Sequence, residues 1–266
     1  IWGFTFILVK QALNDCPPFF FATLRFGLAT ILTIALVNRK LFQLTNNEII
    51  GGIVCGFFLF LGYSFQNFGL MHTTASKSAF ITSVSVLLVP IFLVTCNLQK
   101  VKWRIWIAVL LATMGLYLLI LPSGGGLNLG DILTSGCALG FALHIIAQDI
   151  YINKKIRLLP FFCVQSGFVT LFSFVNAQIF ESSAIIWSDR LFAAIIITGV
   201  LATFAAFLIM IWAQKILNPS ETAIIFAVEP VAAALFATAF GGEILGLWGW
   251  IGGGLVCLAV MYGESG

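Results

Sequence analysis

Apolar stretches of about twenty residues follow one another along nearly the whole chain, parted only by short polar breaks. A backbone in lipid cannot leave its polar groups unpaired, so segments of this length and composition are read as membrane-spanning helices. Composition agrees: 61% of the residues are hydrophobic and 9% charged, where a soluble domain carries about one quarter charged residues. At about twenty residues per span, 266 residues make nine or ten helices and leave no room for a separate soluble domain. The net charge of +3 comes from basic residues scattered in short loops, which excludes a nucleic-acid-binding surface. The expected environment is a lipid bilayer.

Spans are expected near 1–13, 18–37, 48–70, 76–96, 104–121, 130–150, 159–180, 190–213, 219–240 and 244–262. Lys10 arrives before twenty apolar residues have passed, so the chain is expected to start inside its first helix. With ten spans, Arg39 and Lys40, then Lys100, Lys102 and Arg104, then Lys154, Lys155 and Arg157, then Lys215 fall on one side. The alternate loops carry almost no basic residues. The positive-inside rule makes the basic side cytoplasmic and puts both termini there.

Residues 218–230, NPSETAIIFAVEP, begin a helix and then bury an acid in a span. Asn218 is placed to cap, Pro219 suits the first helical position, and Glu221 completes a capping box. Glu229 comes about ten residues later, roughly 15 Å at about 1.5 Å per residue and so near the middle of a hydrocarbon core of about 30 Å. An ionisable residue at that depth is a functional candidate. Pro230 beside it removes a backbone donor and is expected to loosen the helix. A shift of 144 lays residues 76–90 over 220–234, so that Ser78-Ala79 meets Thr222-Ala223 and Ser85 meets Glu229. With five spans in each half, the two copies must lie upside down relative to each other, as in many transporters.

WGFTFILVK (2–10), PPFFFATLRFGLA (17–29) with Arg25, TTASKSAFITSVSVLLVP (73–90) and PSETAIIFAVEP (219–230) resemble, in their order and spacing, the EamA-type members of the drug/metabolite transporter superfamily. The resemblance covers nearly the whole chain. It implies an all-α membrane protein of ten transmembrane helices in two inverted five-helix repeats, 1–121 (its first helix truncated) and 130–262. It further implies a central cavity between the halves, both termini in the cytoplasm, and export of small metabolites or drugs across a bacterial inner membrane. Ser85-Val86 stands where the second repeat has Glu229-Pro230, so a mechanism built on matched acids is not expected.

The candidate cavity residues each have a plainer reading. Arg25, about 12 Å into its helix, either meets an anionic group or is tied to backbone carbonyls or an acid. Lys10 either does the same or reaches for the interface. Thr74, Ser78, Thr82 and Ser85 line one helix face as a cavity stripe or as helix-helix glue. Tyr63, Gln66 and Asn67 share a face that should point inward, toward a solute or other helices. His144 is either a titrating cavity residue or a hydrogen-bonded packing one. Glu229 shares a face with Phe226, Ala233, Phe236 and Phe240, and an acid among aromatics suits an apolar or cationic solute. It either takes part in transport or props up the break at Pro230. Proton coupling, where present, would use Glu229 and His144.

Gly52 and Gly56, Gly136 and Gly140, Gly242 and Gly246, and Gly249 and Gly253 have the spacing of close helix packing. Pro122 with Gly124 to Gly126 reads as the linker between halves. The six cysteines, 16, 55, 96, 137, 163 and 257, form no CxxC and read as small packing residues.

These features favour a secondary transporter of small organic solutes, amino-acid-like or otherwise, working by alternating access. The alternative is an intramembrane enzyme such as an acyltransferase or protease. His144 and Asp149 do spell H-x4-D, but five residues set their side chains roughly 140° apart around a helix, and neither HExxH nor GxSxG occurs. No catalytic residue, cofactor or metal is expected. A channel would want rings of like charge or a filter loop, and the sequence has neither.

Overall fold

The computed structural model describes residues 1–37, 43–120, 128–182, 184–240 and 246–264. Arg39, Lys40, Pro122, Gly124 to Gly126 and Gly242, together with the side chain of Phe240, lie outside the described residues. The elements are α1 (Trp2–Ala12), α2 (Pro18–Val37), α3 (Asn46–His72), α4 (Ala75–Thr82), α5 (Ser85–Thr95), α6 (Trp103–Ile120), α7 (Leu129–Ile152), α8 (Leu158–Phe180) and α9 (Asp189–Ile196). A π-helical segment (Ile197–Ala205) then leads into α10 (Ala206–Ala213), followed by α11 (Pro219–Phe226), α12 (Val228–Phe240) and α13 (Leu247–Glu264). No strand occurs among the described residues. Among the described residues, seven helical stretches are long and apolar enough to cross a membrane: Pro18–Val37, Asn46–His72, Ala75–Thr95, Leu129–Ile152, Leu158–Phe180, Asp189–Ala213 and Pro219–Phe236. Large apolar side chains such as Ile31, Leu110, Met114, Trp212 and Leu258 are exposed around the outside, the surface a bilayer covers. The protein is an all-helical, multi-pass membrane protein.

Polar side chains start the helices. Asn218 and Glu221 form the expected capping box, with backbone bonds of 2.9 and 3.0 Å, and Pro219 occupies the first turn. The same device opens α3, through Thr45 and Glu48, and α7, through Asn128 and Asp131. Each satisfies amide donors that would otherwise be orphaned at the helix end.

Three ion pairs among the described residues fasten the helix ends. Glu48, almost fully buried, takes Arg157 Nε and Nη2 at 2.7 Å each. Asp15 takes Arg190 Nε at 2.9 Å and Nη2 at 2.6 Å, and Ser188 Oγ at 2.6 Å. Asp131 takes Lys77 Nζ at 2.5 Å and Thr73 Oγ1 at 2.7 Å. Lys10 Nζ donates to the carbonyls of Leu70, at 3.0 Å, and of Thr73, so it sits on the C-terminal end of α3, where a cation meets orphan carbonyls.

The core forms where α3 packs on α7 and α8, α2 on α8, and α6 on α13. Small residues let the backbones approach. At the α3–α7 crossing, a Cβ on Gly140 would lie 2.8 Å from the Gly62 nitrogen, and one on Gly130 would lie 2.6 Å from the Gly69 carbonyl oxygen. Gly52 and Gly56 face Val164, Gln165 and Phe168 of α8 in the same way. Four of the six cysteines, 16, 55, 137 and 163, are buried, while Cys96 and Cys257 are exposed.

Two predictions follow from this packing and these pairs. Gly140→Ala should lower stability by about 1–3 kcal/mol through overpacking, read by thermal melting in detergent. Gly254→Ala, where nothing lies within 4 Å of the added carbon, should leave the melting temperature unchanged or slightly raised. Arg190 and Ser188 hold the Asp15 carboxyl below its usual range. Its stabilising contribution is therefore present above the unfolded-state value and lost as pH falls through the lowered one. The gap in melting temperature between wild type and Asp15→Asn should be widest near neutrality and close below about pH 4.

Candidate solute crevice

Two helices that cross the interior are interrupted at matching places. The α4/α5 helix breaks at Ser83, whose backbone amide bonds both Ala79 and Phe80 carbonyls and whose hydroxyl also donates to Ala79 O at 3.0 Å. Val86 and Leu87 then bond only three residues back, a local tightening that hydroxyl side chains promote. The α11/α12 helix breaks at Ala227, three residues before Pro230, which has no amide hydrogen to return to Phe226 O. The break near Pro230 was expected from the sequence, and the one at Ser83 was not.

A crevice opens beside both breaks, with about 590 Å3 of empty space when its open mouth is counted. Ser83 and Ser85 line it from one interrupted helix, Phe226 and Glu229 from the other. Its rings meet edge to face or tilted around Phe207. Trp2 lies 5.4 Å from Phe207 and 5.1 Å from Phe226, Tyr63 5.2 Å from Phe141, and His144 5.8 Å from Phe207. Such pairs add about 0.5–1.5 kcal/mol each beyond burial, so the ring wall is stiff.

Of the residues singled out in the sequence, Tyr63, Gln66, Thr82, Ser85, His144, Phe226 and Glu229 line this crevice together. Gln66 Nε2 donates to Thr82 Oγ1 at 3.5 Å. His144 Nε2 accepts from Gln165 Nε2 at 3.0 Å in the tautomer protonated on Nδ1. Glu229 is half-buried in the first turn of α12, and no hydrogen-bonding side chain reaches its carboxylate among the described residues.

The other three sit elsewhere. Arg25 lies behind the wall, Asn67 Nδ2 donates to Pro18 O at 3.2 Å, and Ser78 Oγ meets Thr134 Oγ1 at 3.5 Å between α4 and α7. The hydroxyl stripe thus divides: Thr74 caps α4, Ser78 joins helices, and Thr82 and Ser85 face the crevice. On the Glu229 face, Ala233 is buried against α1 and Phe236 packs 5.1 Å from Phe4. Asp149 is held by Gln99 and Asn153, and His144 turns to Gln165 instead. Sequence reading missed Trp2, Phe6, Phe141 and Phe207, because apolar wall residues look the same as lipid-facing ones along a chain, and Thr5 and Ser83, whose hydroxyls donate to carbonyls of their own helices. No cluster of His, Cys, Asp or Glu able to hold a metal occurs among the described residues.

The EamA-like transporter family matches residues 1–121 and again 128–262. The chain belongs to the EamA-like transporter family. It is 34% identical over 262 residues to an uncharacterized transporter of Archaeoglobus fulgidus, covering 98% of this chain and 81% of that one. It is 23% identical over 253 residues to the uncharacterized transporter YoaV of Bacillus subtilis, covering 89% of this chain and 83% of that one. A solved crystal structure shares the fold, with a TM-score of 0.78 at 16% identity over 99% of this chain and 93% of that chain. This EamA-like protein is a membrane transporter, and its family points away from an enzyme.

Because Phe207 is buried at the centre of the ring cluster, Phe207→Ala should destabilise the transporter by about 3 kcal/mol, measured by denaturation in detergent. Phe207→Leu should cost less than half as much.

Proposed function

We propose that this transporter consists of ten spans in two inverted five-helix repeats, 1–121 and 130–262, and exports small organic solutes by alternating access. Helix pairing supports the repeat. Under the offset of 144, α2 packs on its own counterpart α8, α6 on α13, and α4/α5 on α11/α12. The α3–α8 contact is mirrored by α2 against α9 and the π segment, and the α5–α7 contact by α1 against α12. Ser83 and Ala227 lie 144 apart, and the Asp15–Arg190 and Glu48–Arg157 pairs occupy related corners with their charges exchanged. Interrupted helices meeting near the bilayer centre are where transporters of this kind build their sites.

The observation that carries the solute reading is Glu229: a carboxylate in a ring-walled crevice, near both breaks, with no hydrogen-bonding side chain of its own. Rings and an acid together suit solutes with an apolar or cationic organic part. Glu229 and His144 are the groups proposed to exchange protons during transport. The basic loop residues Lys100, Lys102, Lys154, Lys155 and Lys215 support cytoplasmic termini, and the bacterial inner membrane and the outward direction follow the family resemblance.

Benzyltrimethylammonium, a small aromatic cation whose charge does not vary with pH, is a direct probe. Wild-type proteoliposomes should carry it saturably, with a rate that changes between about pH 5.5 and 8.5. Glu229→Gln should flatten that dependence and cut the rate at least about tenfold, and His144→Ala should narrow it. Unchanged uptake in both variants across that range would remove these residues from the mechanism.

A further inference from the structure

Arg25 is a fully enclosed cation, 2% exposed, that takes part in none of the ion pairs found among the described residues. A buried charge without good partners costs several kcal/mol, so what holds the guanidinium defines its role. Nε donates to Thr203 Oγ1 at 2.6 Å, and Nη2 donates to Tyr63 OH at 3.0 Å with a longer contact of 3.5 Å to Ala202 O. The guanidinium carbon also lies 4.4 Å from the centroid of the Tyr63 ring. Tyr63 lines the crevice, whereas Arg25 and Thr203 do not.

The same carbonyl serves a second ring. Trp2 Nε1 donates to Ala202 O at 2.6 Å, and Trp2 lines the crevice from α1. In an α-helix Ala202 O would be taken by the amide of Ala206, four residues on. Here the chain is in π register, and the Ala206 amide bonds Leu201 O and Thr203 O, passing over Ala202. π-helical register is rare, and where it interrupts an α-helix it is frequently found at functional sites. The skipped carbonyl is what the indole and the guanidinium both reach.

We propose that Arg25 is a positioning residue of the crevice: together with the π segment it fixes the Trp2 and Tyr63 rings from behind, and the solute never touches it. This rests on the crevice being the solute site. Two ring walls contributed by α1 and α3 are thereby referred to one backbone position in the second half of the chain, so a shift of the π segment moves both.

The test uses the full chain labelled with 5-fluorotryptophan in nanodiscs and read by fluorine NMR, with the Trp2 signal assigned by its loss in Trp2→Phe. Arg25→Lys keeps the charge but loses the planar fork, and Thr203→Val removes one acceptor at nearly constant volume. Both should move the Trp2 signal while the signals of the other six of the seven tryptophans stay in place. In benzyltrimethylammonium uptake, Arg25→Lys should raise KM about tenfold, the scale of one hydrogen bond to a charged group, with Vmax within about twofold. A Trp2 signal unmoved in both variants overturns the proposal, as does a loss of Vmax at unchanged KM. Should Arg25→Lys fail to fold, Thr203→Val decides. Should wild type carry no benzyltrimethylammonium, the solute reading fails while the Trp2 signal still decides the brace.

Discussion

The bilayer interior offers no hydrogen-bond partners, and every polar group carried into it has to find one inside the protein. Among the described residues the buried carboxylates Glu48, Asp15 and Asp131 meet that constraint in sets, whereas Asn67 Oδ1, Gln148 Oε1, Gln165 Oε1, Ser173 Oγ and Ser220 Oγ have no hydrogen-bond partner in the protein. Glu48 and Arg157, Asp15 with Arg190 and Ser188, and Asp131 with Lys77 and Thr73 each satisfy several lone pairs at once. Breaking one partner of such a set leaves an uncompensated buried charge, which costs more than the pair contributes when intact. The sets lie at helix ends, so the packing between them is left to rings, small residues and close backbone crossings.

Against that background Glu229 stands out. It sits in the first turn of α12, where the amide ends of a half-helix favour negative charge, and it faces a crevice instead of a partner side chain. Arg25 is its counterpart on the other side of the wall, held by Thr203, Tyr63 and Ala202 O. On the proposed reading, a solute in the crevice would meet the acid directly and the cation only through the Tyr63 ring. The site's chemistry is therefore asymmetric: at the offset of 144, Ser85 in the first half of the chain stands where Glu229 stands in the second.

Helix positions were legible in the sequence because their signals are local: about twenty apolar residues, a capping side chain, a proline at the first turn. Asn218-Pro219-Glu221 reads as a helix start from three residues, and Thr45 with Glu48 carries the same signal. The break at Ser83 was not legible, since no proline stands at the matching position and three hydroxyls within four residues are equally consistent with a straight span. The π register of 197–205 could not be read at all. It goes with an indole and a guanidinium from α1 and α2 reaching the carbonyl of Ala202, contacts that only the tertiary structure brings together. Seven of the ten candidate cavity residues converge on one crevice because polar residues in a span must face inward. The remaining three face inward too, but toward Pro18 O, Thr134 and the π segment.

The account stands on two halves of opposite insertion enclosing the crevice, and sided labelling reads that insertion directly. With the native cysteines replaced, single cysteines at Lys100 and Lys154 should react with an impermeant thiol reagent from the cytoplasmic face alone, and cysteines at Asn14 and Ser182 from the opposite face alone. Reaction of positions 100 and 154 from different faces would contradict the inverted arrangement and the crevice mechanism built on it.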